Sequence, residues 1–429
     1  MKLTPSRRLY ALGTILLAAL FVCARKFDGH GEAFPVVSLL VGAVAYLLAI
    51  REFFCSPEFP KRVVVIGLVL AALWHVAFLC IPTGSDDDVR RYLWDGRIQR
   101  LGYNPYIVVP ANPAFAALHT AGTRTLNHAD LPSPYPPGAQ LFFRAVTAIH
   151  ESTFALRVAF TICDAVVVIA LLDILRRTGQ GAHWILAYAW NPLLATEVAG
   201  SGHVDIFGVL LLAVSFAALL RRWRAIAAVA FALAIAVKFL PIVLLPLYWR
   251  RVRIRDAVLA AIVFVLLYLP FLNHGRIPIG SLGTYIQSFR FNDPVFAALE
   301  RVASPQIVAG FAALVGVLIA VWFRARFETL SADAFACSMA ASLLCAPVVY
   351  PWYLLWLLPF ARSVPTLPII IWTVSIIPTY IVWHLRAPGH PWVLPGWIVL
   401  LEYGAVAMTA AAIILGRRID RAAPQRSTD

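Results

Sequence analysis

Apolar runs of about twenty residues recur from one end of this chain to the other, and no other feature limits its fold as much. Crossing a hydrocarbon core of about 30 Å takes about twenty apolar residues in a helix. Stretches of this kind fall near residues 9–24, 34–50, 63–82, 153–175, 183–199, 203–220, 225–249, 256–272, 306–323, 334–349, 351–361, 366–385 and 393–415. The chain is 61% hydrophobic and 14% charged, whereas soluble domains carry about 25% charged residues. It therefore reads as all-α, a polytopic transmembrane helical bundle of about 12–14 membrane segments. The first run, Leu9 to Ala24, follows Lys2, Arg7 and Arg8 as a secretory signal would. With no small-residue cleavage site standing out and further spans following, it is expected to stay as the first helix.

Two runs are irregular. Lys238 and Pro241 split 225–249, and basic clusters flank it on what must be one side, Arg221 to Arg224 before and Arg250 to Arg255 after. The segment must therefore cross twice, or dip in and return. Interrupted helices of this kind survive at membrane depth only where they are buried in protein or line a wet cavity. The other, 351–361, is too short for a full crossing.

A net charge of +14 invites a nucleic-acid reading, but the placement of the charge argues against it. With a cytoplasmic N-terminus, more than half of the 36 Lys and Arg residues fall in short inward loops and tails. Examples are Lys61-Arg62, Arg176-Arg177, Arg324 with Arg326, and Arg417-Arg418. That is the positive-inside pattern, and no nucleic-acid partner is expected. The same orientation puts both termini in the cytoplasm and two long loops, 83–152 and 273–303, on the extracytoplasmic side of the cytoplasmic membrane. No internal repeat is visible, so these loops belong to a single transmembrane domain, 1–429. The six cysteines form no CxxC pair, which suggests neither a disulfide framework nor a zinc site.

The first loop opens with Ser85-Asp-Asp-Asp-Val-Arg-Arg-Tyr-Leu-Trp-Asp95-Gly-Arg-Ile-Gln-Arg100. Ser85 with Asp88 fits a capping box, and acids suit the positive end of the helix dipole. One acid suffices for capping, so the others are candidates for catalysis or for holding a metal. Gly102 reads as the helix stop. Trp94, Ile98 and Leu101 fall on one face and Asp88 and Asp95 on the other, which predicts an interfacial helix lying apolar side down on the outer leaflet. Arg90, Arg91, Arg97 and Arg100 read either as headgroup contacts or as ligands of a substrate phosphate. Pro132-Ser-Pro-Tyr135-Pro-Pro-Gly138 must be extended, because each proline biases its predecessor away from helix. Tyr135 on that arm either stacks on a sugar or packs.

Further along, Gly200-Ser-Gly-His203-Val-Asp205 stands at the junction of two spans, with Glu197 just before it. Ionisable groups at membrane depth are functional candidates, although a His203 and Asp205 pair could simply lock the turn. Lys238 either snorkels to the interface or binds a phosphate. Arg290 and Arg386 could do the same, with His384 and His390 as weaker choices. Tyr350-Pro-Trp-Tyr353 and Trp356 suit an aromatic belt or a sugar platform.

The residues from Ser85 to Gln99, then Gly102-Tyr-Asn104-Pro-Tyr106, then Tyr135-Pro-Pro-Gly-Ala-Gln140, resemble the first outer loop of bacterial integral-membrane glycosyltransferases of the GT-C fold. The resemblance is greatest to the polyprenyl-phosphate-mannose-dependent mannosyltransferases. Trp190-Asn-Pro-Leu-Leu, Gly202-His-Val-Asp205, Lys238-Phe-Leu-Pro241 and Pro351-Trp-Tyr-Leu-Leu-Trp356 agree in order. The resemblance implies transfer of a sugar, mannose or another hexose, from a polyprenyl-phosphate donor in the membrane lipid to a hydroxyl of a glycan or glycolipid acceptor of the cell envelope, at the extracytoplasmic face. It also implies that an aspartate of the first loop is the general base, Asp87 first and Asp86 second, with Asp88 the best candidate for the cap. Donor and acceptor contacts are then expected from Asp88, Arg91, Tyr92, Asp95, Asn104, Tyr106, Tyr135, His203, Asp205, Lys238, Arg290 and Tyr353.

The chemistry points the same way. A carboxylate can take the proton of a weakly nucleophilic sugar hydroxyl, and the departing phosphate needs cations or N–H donors. One base and one displacement predict inversion. A lipid monophosphate requires no metal cofactor. If Mg²⁺ or Mn²⁺ is used, Asp86 and Asp88 are its expected oxygen ligands. The competing readings are a multi-pass transporter or flippase built around the interrupted 225–249 segment, and a scaffold for envelope assembly.

Overall fold

The structure is a computed structural model that describes residues 3–26, 36–56, 58–83, 88–273, 277–386 and 392–422. Among these, helices make up all the regular structure except one isolated β-bridge between Phe291 and Val348. The polypeptide begins with α1 (Pro5–Lys26), α2 (Val36–Cys55) and α3 (Lys61–Leu79), with α1 packed on both of its successors. The first long loop holds α4 (Asp88–Arg100) and α5 (Pro137–Ile149), and α6 (Thr153–Arg177) follows.

The course of α4 differs from the sequence expectation. It does not lie on lipid: Val89, Tyr92, Leu93, Trp94, Asp95 and Ile98 are buried, and the helix packs on α5 and α6. The loop's own chain covers Trp94 and Ile98 of the face expected to meet the bilayer, and Leu101 at its end stays exposed. Trp94 and Ile98 pack with Val108, Phe115, Leu118 and Leu126, and Trp94 stacks on His119 at 4.1 Å between ring centroids. The physical reason is that later residues of the same loop supply partners for both faces, apolar side chains for Trp94 and Ile98 and the polar groups of Ser133 and Gln140 for Asp95. The expected stop is present. Gly102 has φ +87°, Tyr103 N–H donates to Ile98 O at 2.9 Å and Gly102 N–H to Gln99 O at 3.1 Å, a Schellman ending.

The centre of the chain is broken where prolines and glycines interrupt it. After α7 (Ile185–Ala189) and α8 (Pro192–Leu194), a π-helical turn at Ala195–Gly200 leads into α9 (Asp205–Leu220), bent by 119° from the preceding piece. The run 183–199 is therefore not one straight crossing, because Pro192 ends the short α7 and starts a new helix. Next, α10 (Arg224–Ile235) runs back along α9. At its far end Lys238 reaches Asp205, the first residue of α9, at 2.7 Å. A 3₁₀ turn at Leu240–Leu244 and α11 (Leu245–Tyr248) then lead back, so that the Tyr248 hydroxyl meets Ser215 at 2.6 Å. Segment 225–249 thus dips in and returns, with Lys238 at its apex. Pro241 and Pro246 keep the return leg from continuing as one helix.

The remainder comprises α12 (Ile254–Tyr268), α13 (Leu282–Ser288), α14 (Pro294–Leu299), α15 (Pro305–Arg326), α16 (Ala332–Leu344), α17 (Leu367–Ser375), α18 (Ile381–Arg386) and α19 (Gly396–Ala422). Between α16 and α17, Pro351 and Pro359 confine the expected short segment to 3₁₀ turns. Among the described residues eight helices are long and apolar enough to cross a membrane, or nine with the bent pair. Their outward faces carry exposed Val258, Ile262 and Val265 on α12 and Ile307, Leu314 and Leu318 on α15, as a lipid-facing surface would. Two carboxylates buried inside the bundle find partners. The carboxylate of Asp164 accepts the Tyr188 hydroxyl at 2.5 Å and lies 3.4 Å from His75, and Glu402 accepts from Asn292 at 3.0 Å and from Trp372 at 2.7 Å. Unpaired, each such group would cost several kcal/mol in hydrocarbon.

Candidate functional site

The site is built on the break before α9. Gly202 takes φ +76°, a conformation L side chains rarely adopt, and a Cβ there would stand 2.8 Å from Arg157 Cγ. The π-helical turn lets His203 N–H donate to Glu197 O at 2.8 Å, and the His203 ring lies flat on Trp352, 3.9 Å between centroids. His203 Nδ1 is also 2.8 Å from Glu197 Oε2, but out of line for a well-formed hydrogen bond. Asp205 is 1% exposed, and one of its oxygens accepts from both Lys238 Nζ and Trp356 Nε1, each at 2.7 Å. Its position at the start of α9 also suits a negative charge. Gly208, one turn along α9, leaves room for this contact: a Cβ there would fall 2.1 Å from Trp356 Cη2.

Lys238 Nζ also sits 3.6 Å from the ring centroid of Tyr353, whose hydroxyl meets that of Tyr285 at 2.5 Å. Its side chain keeps 26% of its exposure. Asp88, Tyr135, Tyr285 and Tyr353 are half-buried too. Asp88 lies within electrostatic reach of Lys238, His203 and Glu197. Burial pushes the phenols of Tyr92, Tyr135 and Tyr285 well above their usual pKa, and the Asp88 charge pushes the same way, so all three remain neutral. Tyr92 packs edge-on against Tyr135, 5.0 Å between ring centroids. The assembly offers a carboxylate, an ammonium, an imidazole and several hydroxyl donors at one end of the bundle.

Of the residues singled out in the sequence, Asp88, Tyr92, Tyr135, His203, Asp205, Lys238 and Tyr353 are brought together here. The others hold the loops in place. Asp95 is fully buried and accepts from Arg91 at 3.0 Å, Ser133 at 2.5 Å and Gln140 at 2.9 Å. Arg91 also donates to the carbonyls of His128 and Leu131, which fixes the proline arm. Asn104 joins the first loop to the end of α12 through Phe271 O at 2.8 Å, and the Tyr106 hydroxyl donates to Tyr135 O at 2.6 Å. Arg290 makes a two-pronged contact with Glu300 at 2.5 and 2.9 Å and donates to carbonyls at the end of α13. Arg97 and Arg100 pair with Glu151, and Arg90 donates to Gly122 O and Thr83 O.

Asp86 and Asp87, the expected bases, lie outside the described residues, as do Ser85 and His390. The structure still fixes where their segment is anchored, and does so through a residue to which the sequence reading gave no role. Arg157 is buried and donates to Phe78 O, to Ile81 O at 2.7 Å and to Ala199 O at 2.7 Å. It clamps the end of α3, which leads into the acidic stretch, to the turn that carries His203. A cation inside the apolar run 153–175 was the available signal. Among the described residues, no three His, Cys, Asp or Glu side chains gather closely enough to hold a metal ion.

Fold and site together define a multi-pass membrane protein whose ionisable groups collect at the loop end of the bundle. Residues 13–252 match the family model described as alpha-(1->6)-mannopyranosyltransferase, N-terminal domain, and the chain belongs to this MptA/MptB family. It is a membrane glycosyltransferase. Among solved structures it is similar to ArnT from Cupriavidus metallidurans bound to undecaprenyl phosphate, with 15% identity, 82% of this chain and 74% of that chain covered, and a TM-score of 0.46. No curated protein matches the sequence.

Proposed function

We propose that this protein moves one sugar, mannose or another hexose, from a polyprenyl-phosphate carrier to a hydroxyl of an envelope glycan or glycolipid, in the manner of GT-C enzymes. The observation that carries this reading is the convergence of the Lys238 and Asp205 pair, His203 and Asp88 from separate elements at one end of the bundle. With the basic loops cytoplasmic, that end faces the extracytoplasmic side. Asp87 or Asp86 takes the acceptor proton as the acceptor oxygen bonds to the anomeric carbon and the bond to the carrier phosphate breaks. One base and one displacement suffice, and a single displacement inverts the configuration at that carbon. The departing lipid phosphate gains a negative charge. Lys238 is suited to meet it, since one N–H serves Asp205, one faces Tyr353, and no described residue takes the third. Mg²⁺ or Mn²⁺ is not required, because a monophosphate leaving group can be met by this ammonium and by neutral phenols.

The test is sugar transfer by the purified protein from a short-chain polyprenyl-phosphate mannose to an alkyl mannoside, with Asp86→Asn, Asp87→Asn and Asp88→Asn made separately. Loss of a general base should lower the rate by about 10²–10⁴ in one of the first two while the protein stays folded. Failure to transfer any polyprenyl-linked hexose, with carrier-linked sugar instead appearing across a vesicle bilayer, would replace the transferase reading by a flippase.

A further inference from the structure

At the opposite end of the bundle, a hollow of about 600 Å³ opens between the loops 221–224 and 250–256. That volume lies within the roughly 300–1,000 Å³ of ligand pockets. Arg222 and Arg224 line it from one loop and Arg253 and Arg255 from the other. Among the described residues of the lining, only Asp256 opposes this charge, and it is already engaged: one oxygen accepts Arg253 N–H at 3.1 Å and the other is 3.7 Å from Arg255. Neighbouring Arg221 is neutralised separately by Asp173, at 2.7 and 3.1 Å, and lies over the Trp223 ring. Four arginines lining one space concentrate positive charge that an anion would offset. The positive-inside rule accounts for their number on this side but not for their convergence.

Two backbone features sharpen the case. Arg222 occupies the left-handed position that ends α9, with φ +60°, where Trp223 N–H donates to Ala218 O at 2.9 Å and Arg222 N–H to Leu219 O at 3.1 Å. Glycine is the usual occupant there, and an arginine costs backbone strain. In addition, α10 and α12 lie side by side and both begin at this hollow. Their N-terminal dipole ends favour an anion, and no side chain caps α10. The rim is apolar: Trp223, Ile226 and Ile254 are 51%, 50% and 86% exposed. A tryptophan and two isoleucines beside four arginines place the mouth at the membrane interface, where the anion arrives attached to acyl chains.

We propose that this hollow binds the phosphate of an anionic membrane phospholipid, held by Arg222, Arg224, Arg253 and Arg255 with its chains lying along Ile226 and Ile254. The site is remote from the Lys238 chamber, and the proposal is independent of the transfer reaction.

The experiment compares the full-length protein with Arg222→Gln/Arg253→Gln/Arg255→Gln and with Arg62→Gln/Arg176→Gln/Arg326→Gln, which removes the same charge elsewhere at the same end. Native mass spectrometry counts retained phosphatidylglycerol against phosphatidylcholine of matched chains. Thermal unfolding is followed with each lipid and with inorganic phosphate alone. The expected result is at least a tenfold preference for phosphatidylglycerol in the unaltered protein and the control, lost in the groove variant, with phosphate alone giving little protection. Equal loss in the control would overturn the site, leaving only general surface charge. Protection by phosphate equal to that by phosphatidylglycerol would overturn a lipid as the source. Size-exclusion profiles show whether the groove variant, altered only at exposed side chains, is folded. An unfolded groove variant beside a folded control would also overturn the proposal, because the arginines would then be structural.

Discussion

Replacing Lys238 separates what holds the chamber together from what acts in it. In Lys238→Met the Asp205 carboxylate, 1% exposed, loses the Lys238 ammonium and, of the side-chain donors shown among the described residues, keeps the Trp356 N–H. Leaving one member of a buried pair unmatched costs about 3–5 kcal/mol. Because Lys238 keeps 26% of its side-chain exposure, water can reach the vacated position, and the expected loss is lower, about 2–3 kcal/mol. Adding Asp205→Asn removes the stranded charge and still leaves an oxygen to accept from Trp356. The double variant should therefore recover most of that stability, read by thermal unfolding in detergent. Activity should not recover with it. If Lys238 meets the charge developing on the departing phosphate, both variants should stay about 10²–10³-fold slower, measured as single-turnover sugar transfer. A double variant that regains transfer along with stability would refute this, reducing Lys238 to a partner for Asp205. A single variant as stable as the unaltered protein would refute the energetic reasoning itself.

Substitutions at three other positions test the frame of the protein. Gly208→Ala forces a Cβ into the Trp356 indole, which is fully buried, so about 1–3 kcal/mol of stability and the indole bond to Asp205 should be lost together; unfolding and tryptophan fluorescence both report on it. Arg157→Leu leaves three carbonyls without their guanidinium donor, and at about 1–3 kcal/mol each the loss should be at least 3 kcal/mol. Arg157→Lys should rescue only part of it, because an ammonium cannot span the fork; full rescue by lysine would sink the clamp. Burial raises the Asp293 carboxyl to about 6, so between about pH 4 and 6 the folded protein holds a proton that the unfolded chain has released. Stability should fall as pH rises through that window and level off above it. Asp293→Asn should flatten this part of the profile in melts taken at successive pH values.

Which of these features the sequence exposed follows from what lipid demands. Long crossings such as α2, α6 and α15 are legible because hydrocarbon selects on length and apolarity, both of which are local. The apex at Lys238 is legible for the same reason, since a cation inside an apolar run flanked by arginines on one side has few places to go. The environment of α4 is not legible. Periodicity shows that Trp94 and Ile98 share a face, but not whether lipid or the chain near Val108 and Leu118 covers it. Nor can spacing show that Asp95 is satisfied by Ser133 and Gln140, which lie 38 and 45 residues away.

The distinction that matters for function is therefore whether a charge closes on the protein or keeps a free valence, rather than where charges occur. Arg91, Asp95, Arg157 and Arg290 spend hydrogen bonds on loop geometry. Lys238 differs, because its two visible contacts, Asp205 and the Tyr353 face, leave one N–H directed elsewhere beside a half-buried Asp88. An ammonium in that condition is stable only while water or an anion completes it. In the proposed reaction that anion is the phosphate of the lipid-linked sugar donor.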